Sequence, residues 1–450
     1  MTAPLPEAAA DPLAAEAARF LALRERALAS AERFGTPQYL LDVAALRANA
    51  DALLAAMAGV GQETTVLYAY KANYLPRVIR ELTARGFGAE VGGLPELELA
   101  LAVSARPITL NGPAMAAAEI DLALAHPGQV HIQIDNIDEI ALLRARLDAR
   151  GSASSTRWPV GIRLRPPRVA RTPWSRFGVA ADELAAFLPA LRAARLDLTG
   201  IHIHGGPVPE PSHYRRLLEE ILPPIDAALT AEEKRGLRLL NLGGGLVPAG
   251  ESAPRAASTH EPGASASSLL GGVRYAENAP SPPPLAAYMG GLADAFAFAR
   301  ERFPWVAGAS AAIEPGRFLV AKAMHLLMRV YTVKDGMAIL DGSTSLVGYD
   351  RFGTEHFPVV NLTRPAALAP VTAPCFGSLC DPGDFLGDAI AGEAPRPGDL
   401  LAYLNQGAYT LSYAHRFMRP TGRAVALEPD GSLVLEKDIE PLATWLGTTP

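Results

Sequence analysis

Lys71 stands directly after the apolar run VLYAY (66–70). An amine at the end of such a run, partly out of water, loses preference for its ammonium form and can attack an aldehyde. The chain has 5 lysines against 36 arginines, so lysine is not its ordinary source of positive charge. A solvated lysine opening a loop has the same neighbours, and the residue alone leaves both readings open. Three other places narrow the choice. Gly243, Gly244 and Gly245 follow an apolar run, and glycines let backbone N–H groups close around an anion. Glu314-Pro315-Gly316-Arg317 ends another run; a carboxylate there can keep a ring nitrogen protonated, and a guanidinium can reach a phosphate. His204 ends the stretch IHIH, where residues 202 and 204 share one face. Its ring can stack on a flat ligand or belong to a hydrogen-bonded core pair. Amine, anion cradle, acid and arginine together match what pyridoxal 5'-phosphate needs.

These residues need a frame that gathers them. Short apolar runs alternate with Ala/Leu-rich helical stretches from about residue 64: VLYAY, GAEV (88–91), PITLNG (107–112), VHIQID (130–135), PVGIRLR (159–165), LTGIHIHG (198–205), LRLLNLGGG (237–245) and AAIEPGR (311–317). Eight such units predict an α/β fold with a parallel (β/α)8 TIM-type barrel, whose site lies at the C-terminal strand ends. An open, doubly wound sheet is the alternative arrangement. Beyond residue 318, runs such as HLLMRVYTV, MAILDG and DLLAYLNQGAY predict a second, mainly antiparallel C-terminal β domain. Residues 14–34 read as helix and 36–43 as a short strand. The expected division is a helical extension over 1–35, a barrel over 59–317, and a β domain from 36–58 and 318–450. The Ala/Ser/Gly/Pro-rich stretch 247–285 reads as a mobile excursion from the barrel.

Composition excludes several classes. A formal net charge of −6 and a pI near 5.9 speak against a nucleic-acid partner. No uninterrupted apolar stretch reads as a membrane span, and Glu7, Asp11 and Glu16 stand where a signal peptide would be basic. The expectation is a cytoplasmic protein without membrane contact. Cys375 and Cys380 are too few for a disulfide framework and lack ligand partners for a metal, so no metal is expected.

The ordered motifs resemble the fold-type III pyridoxal-phosphate decarboxylases that act on ornithine, lysine, arginine and diaminopimelate. YAYKAN (68–73), SRFG (175–178), HIHGG (202–206), GGG (243–245), EPGR (314–317), CFGSLCDPGD (375–384) and GAY (407–409) follow that family's order over about residues 36–420. The resemblance implies a Schiff base on Lys71, His204 stacked on the ring, and Glu314 on the pyridine nitrogen. It implies that Gly243, Gly244, Gly245, Arg317 and Tyr409 hold the phosphate, with Arg163 near the cofactor. Cys380 then protonates the substrate carbon after CO₂ leaves, and Asp381 or Asp350 pairs with a distal ammonium. Because the cysteine loop serves the neighbouring subunit in that family, a homodimer with shared active sites is also implied.

Several positions depart from the pattern. Pro207 replaces the usual phosphate-donating serine, Glu90 the usual aspartate, Gly93 a serine, Asn241 an aspartate, and Met418 a frequent asparagine. The Arg-Pro-x-Leu-Tyr stretch of diaminopimelate enzymes is absent around 343–350, which leaves no clamp for a second carboxylate. The expected activity is α-decarboxylation of a basic (diamino) acid or its derivative. The alternatives are an amino-acid racemase or epimerase, which would need a second base opposite the lysine, and a non-catalytic cofactor-binding protein.

Overall fold

The computed structural model describes residues 12–61, 63–151, 157–169, 172–248, 282–348, 358–365 and 370–447. The chain divides into two units, Arg47–Ala249 with Pro282–Val320, and Met1–Leu46 with Gly250–Ser281 and Ala321–Pro450. Asp350 and most of the 247–285 excursion lie outside the described residues.

In the first unit, all eight runs form strands of one closed parallel barrel, joined in chain order. With β1 as Gln38–Asp42 of the other unit, they are β2 (Thr64–Ala69), β3 (Gly88–Val91), β4 (Ile108–Asn111), β5 (Val130–Ile134), β6 (Trp158–Leu164), β7 (Leu196–Ile203), β8 (Leu239–Asn241) and β9 (Ser310–Ile313). Closure is made by β9, which pairs in parallel with both β8 and β2. The open-sheet alternative is therefore set aside. Glycines on two strands make room for long side chains from a third. A Cβ on Gly161 would overlap Gln133, and one on Gly200 would meet His131 at 3.0 Å. Burial pushes the His131 pKa down to about 4, so the ring is neutral and bonds Thr199 Oγ1 at 3.0 Å.

The second unit is a nine-stranded sheet, ordered β11-β13-β14-β12-β15-β10-β1-β16-β17. Its later strands are β10 (Met324–Lys334), β11 (Met337–Leu340), β12 (Val359–Asn361), β13 (Pro370–Phe376), β14 (Phe385–Ala391), β15 (Leu400–Tyr403), β16 (Arg423–Leu427) and β17 (Leu433–Lys437). Parallel pairing occurs at β1–β16, β11–β13 and β12–β14, the other pairs being antiparallel. Because β11 also pairs with β10, the sheet folds back on itself.

The sequence-based division needs two corrections. First, helices α1 (Pro12–Leu21) and α2 (Arg24–Phe34) are not a separate extension. Their apolar faces place Ala17, Phe20, Ala27 and Ala31 in one buried cluster with Leu40, Leu327, Val360, Leu400 and Val425. Phe20 lies 4.2 Å from the His325 ring, centroid to centroid. Phe20→Ala should therefore cost about 3–5 kcal/mol, as for any large core truncation. A thermal or denaturant melt checks this; an unchanged midpoint would mark the helices as an appendage after all.

Second, the unit boundary falls at Leu46/Arg47, inside helix α3 (Val43–Met57), rather than near residue 58. Arg47 bonds Glu81 through both Nε (2.8 Å) and Nη2 (3.0 Å), tying the helix to α4 (Pro76–Thr83). Val43–Val60 is also long and apolar enough to cross a membrane by length and composition. Within it, Ala50, Leu53, Met57 and Val60 are buried at helical spacing, whereas Asp51 and Ala52 are exposed. That one-sided burial is the pattern of a helix laid on a core.

Candidate active site

Strand order around the barrel determines which side chains meet. Lys71 lies in the short 3₁₀ turn Tyr70–Ala72 after β2. Ala69 is in register with Glu90 of β3, so the Glu90 carboxylate stands beside the lysine and accepts its ammonium as an ion pair. The lysine side chain is 51% exposed while that of Glu90 is buried. The amine is thus partly withdrawn from water, and a buried carboxylate holds it. Burial pushes the Glu90 pKa up, Lys71 pulls it down, and the nearby Glu314 charge pushes it up again; the net direction is upward.

Across the barrel, Arg163, His202 and Asn241 form one row, because β6, β7 and β8 pair in that register. Glu314 follows β9 and is buried against this row. Asn241 Nδ2 donates to its Oε1 at 2.7 Å, and His202 Nε2 lies 3.2 Å from its Oε2. Burial alone would raise the Glu314 pKa; His202, Lys71 and His204 outweigh it and bring it down to about 2. The carboxylate therefore stays charged at neutral pH. Arg163 is buried too, with its guanidinium 4.5 Å over the Phe177 ring and 3.8 Å from Asp135.

His204 follows directly on β7 and is only partly buried. Desolvation, then the Arg163 charge, push its pKa down to about 3, so it presents a neutral ring. Of the two alternating histidines, His202 is fully buried beside Glu314 and His204 is partly buried after the strand end.

The glycine run after β8 has the form of an anion cradle. Gly243 and Gly245 take φ of +67° and +100°, and the Gly243 N–H bonds Asn241 Oδ1 at 2.9 Å. A Cβ on Gly244 would fall 2.5 Å from the Glu314 carbonyl oxygen. Among the described residues, the amides of Gly244 and Gly245 have no acceptor, which leaves two N–H groups for an anion. A Cβ on Gly245 would lie 2.3 Å from the Gly206 carbonyl oxygen. Gly245→Ala is accordingly expected to cost about 1–3 kcal/mol and to empty the cradle. Denaturant midpoint and bound phosphate-bearing cofactor per chain are the two readouts; loss of neither would show that the backbone adapts. Arg317 opens the short helix Arg317–Val320 on the same strand end.

The remaining expected residues belong to the second unit. Cys380 is exposed, and its N–H bonds the Met418 Sδ at 3.3 Å. Asp381 follows it and accepts the Gly383 N–H at 2.7 Å. Tyr409 sits in a turn with a φ of +61°, its ring 6.3 Å from that of Tyr413. The barrel thus brings together Lys71, Arg163, His204, Gly243–Gly245, Glu314 and Arg317. It adds Glu90, His202 and Asn241, which sequence reading noted without a role; their signal was inward alternation next to a neighbouring strand end.

The arrangement offers an amine, a charged carboxylate, a neutral ring and unpartnered amides on one face. Pyridoxal 5'-phosphate fits it: Lys71 could take its aldehyde, Glu314 could face its ring nitrogen, and the Gly244–Gly245 amides could hold its phosphate. The chain is 29% identical over 420 residues to the diaminopimelate decarboxylase of Pseudomonas aeruginosa, covering 89% of each protein. It is 28% identical to that of Deinococcus radiodurans, over 92% of this chain and 96% of the other. The crystal structure of diaminopimelate decarboxylase from Methanocaldococcus jannaschii matches with a TM-score of 0.75 at 21% identity, over 93% of this chain and 94% of that one. Residues 44–321, more than half of the chain, match the family model for the pyridoxal-binding domain of the pyridoxal-dependent decarboxylases, and the protein belongs to that family.

Proposed function

We propose that the enzyme removes the α-carboxylate of a diamino acid. The observation that carries this reading is the pairing of Lys71 with Glu90 opposite a charged Glu314. Bound pyridoxal phosphate supplies the electron sink for the charge left at Cα. Lys71 would hold the group through its amine, and Glu90 would take and return the proton of that amine. Glu314 would hold a proton at the ring nitrogen, with Asn241 donating to one of its oxygens and His202 beside the other. Cys380 delivers a proton to Cα, and Asp381 or Asp350 meets the distal ammonium. The curated diaminopimelate relatives support the diamino class, although the missing Arg-Pro-x-Leu-Tyr clamp favours substrates without a second carboxylate.

The direct test is CO₂ release from ornithine, lysine and meso-diaminopimelate beside leucine and glutamate. Release from diamino acids alone is expected. Exchange of the α-proton without CO₂ would replace this reading with racemisation.

The exposed position of Cys380 is consistent with service to a neighbouring site, so the proposal includes a cytoplasmic homodimer with shared active sites. Lys71→Ala and Cys380→Ala chains, each impaired alone, should then complement when mixed. Random exchange restores about one quarter of wild-type sites, because half of the dimers carry one intact site of two. No recovery after verified subunit exchange would place both residues of a site on one chain.

A further inference from the structure

In the loop His204–Val208, which borders the glycine cradle, positions 207 and 208 offer it no donor. The Val208 N–H is consumed by the Gly245 carbonyl at 2.9 Å. Pro207, beside it, has neither an N–H nor a hydroxyl. Against this loop stands an indole that no step above uses. The Trp174 ring lies 5.0 Å from that of His204, edge to face. A Cβ on Gly206 would be 3.5 Å from its Nε1 and 3.6 Å from its Cε2, so the nitrogen edge is turned toward the loop. That Nε1–H has no acceptor among the described residues, although the ring is 37% exposed.

The indole is also held in place. Thr172 Oγ1 accepts the backbone N–H of Trp174 at 3.2 Å and donates to the Val169 carbonyl at 2.7 Å. The ring lies 6.0 Å from Phe177, whose face carries the Arg163 guanidinium. Arg163, Phe177, Trp174 and His204 thus form a continuous series of flat groups ending at the cradle.

We propose that Trp174 is a phosphate ligand, its indole N–H donating to the cofactor phosphate on the side that Pro207 leaves without a donor. A hydrogen bond to a charged oxygen is stronger than a neutral one, and an indole N–H can only donate. The inference concerns cofactor binding and is independent of which amino acid the enzyme takes.

The test is binding of pyridoxal 5'-phosphate and of phosphate-free pyridoxal to the full chain, wild type and Trp174→Phe. Phenylalanine keeps an aromatic face beside His204 and removes the N–H. The expected result is about tenfold weaker binding of the phosphorylated form, with pyridoxal changed by less than about twofold. Equal weakening of both would make Trp174 only a packing partner of His204 and overturn the proposal, as would no weakening of either. A second readout does not depend on the variant's folding. In ¹⁵N-labelled wild-type protein, one indole N–H resonance should move downfield between the pyridoxal-loaded and pyridoxal-phosphate-loaded forms. Four tryptophans give few signals to follow; if none moves, the proposal fails.

Discussion

Lys71→Ala should abolish stable cofactor attachment and lower CO₂ release by about three orders of magnitude or more. The lysine supplies the only amine that the barrel places beside Glu90 and across from Glu314 among the described residues. Lys71→Arg should be nearly as damaging, because a guanidinium keeps the ion pair with Glu90 but is no nucleophile at neutral pH. Borohydride treatment should fix the cofactor to a peptide containing Lys71 in the wild type and to none in either variant. Attachment that survives in Lys71→Ala would sink the assignment. The fold should tolerate the change, since the lysine side chain is half exposed and its partner's pKa is already raised by burial. Without Lys71, Glu90 loses its cationic neighbour and becomes harder still to ionise.

Glu314→Gln is the second large effect. Glutamine keeps an oxygen for Asn241 Nδ2 and places an amide opposite His202 Nε2, so the side-chain shape survives. What is lost is the charge. Turnover should fall by about two to three orders of magnitude, the scale of removing one preorganised electrostatic partner. Cofactor content should change far less, because Lys71 and the glycine cradle are untouched. Equal loss of cofactor and turnover would instead mark Glu314 as a binding residue.

The same substitution should alter acid stability. The folded Glu314 pKa, about 2, lies below its ordinary value, so its contribution is present above about pH 4.5 and lost as pH falls toward 2. Glu90 works in the opposite direction. Its raised folded pKa favours the folded state at low pH, and that contribution is lost as pH rises through it. Glu314→Gln should thus flatten the acid limb of a urea-midpoint profile between pH 4.5 and the acid transition. An unchanged limb would mean that other carboxylates govern it.

Local patterning was enough to read the barrel. Each strand is a short apolar run bounded by helical stretches, and strand residues buried on both faces leave a signal that needs no partner to be seen. The strand ends carrying Lys71, His204, Gly243–Gly245 and Glu314 were legible for the same reason. The N-terminal helices were misread as an extension because an amphipathic face shows that something covers it, not what does; the cover is β1, β10, β12, β14, β15 and β16. The α3 boundary was displaced because Arg47 finds Glu81 34 residues away. Glu90 and His202 meet their neighbours only through register, Ala69 with Glu90 and His202 with Asn241.

Lys71 itself shows the division most plainly. Its type and position announced an amine at a strand end, and the family motifs gave it a cofactor. Local sequence left a partly desolvated nucleophile and a solvated loop lysine both open, whereas the folded barrel supplies the partner, a buried acid. The partner was not legible because ion pairing depends on neighbours across the sheet, and strand pairing brings those neighbours from other parts of the chain.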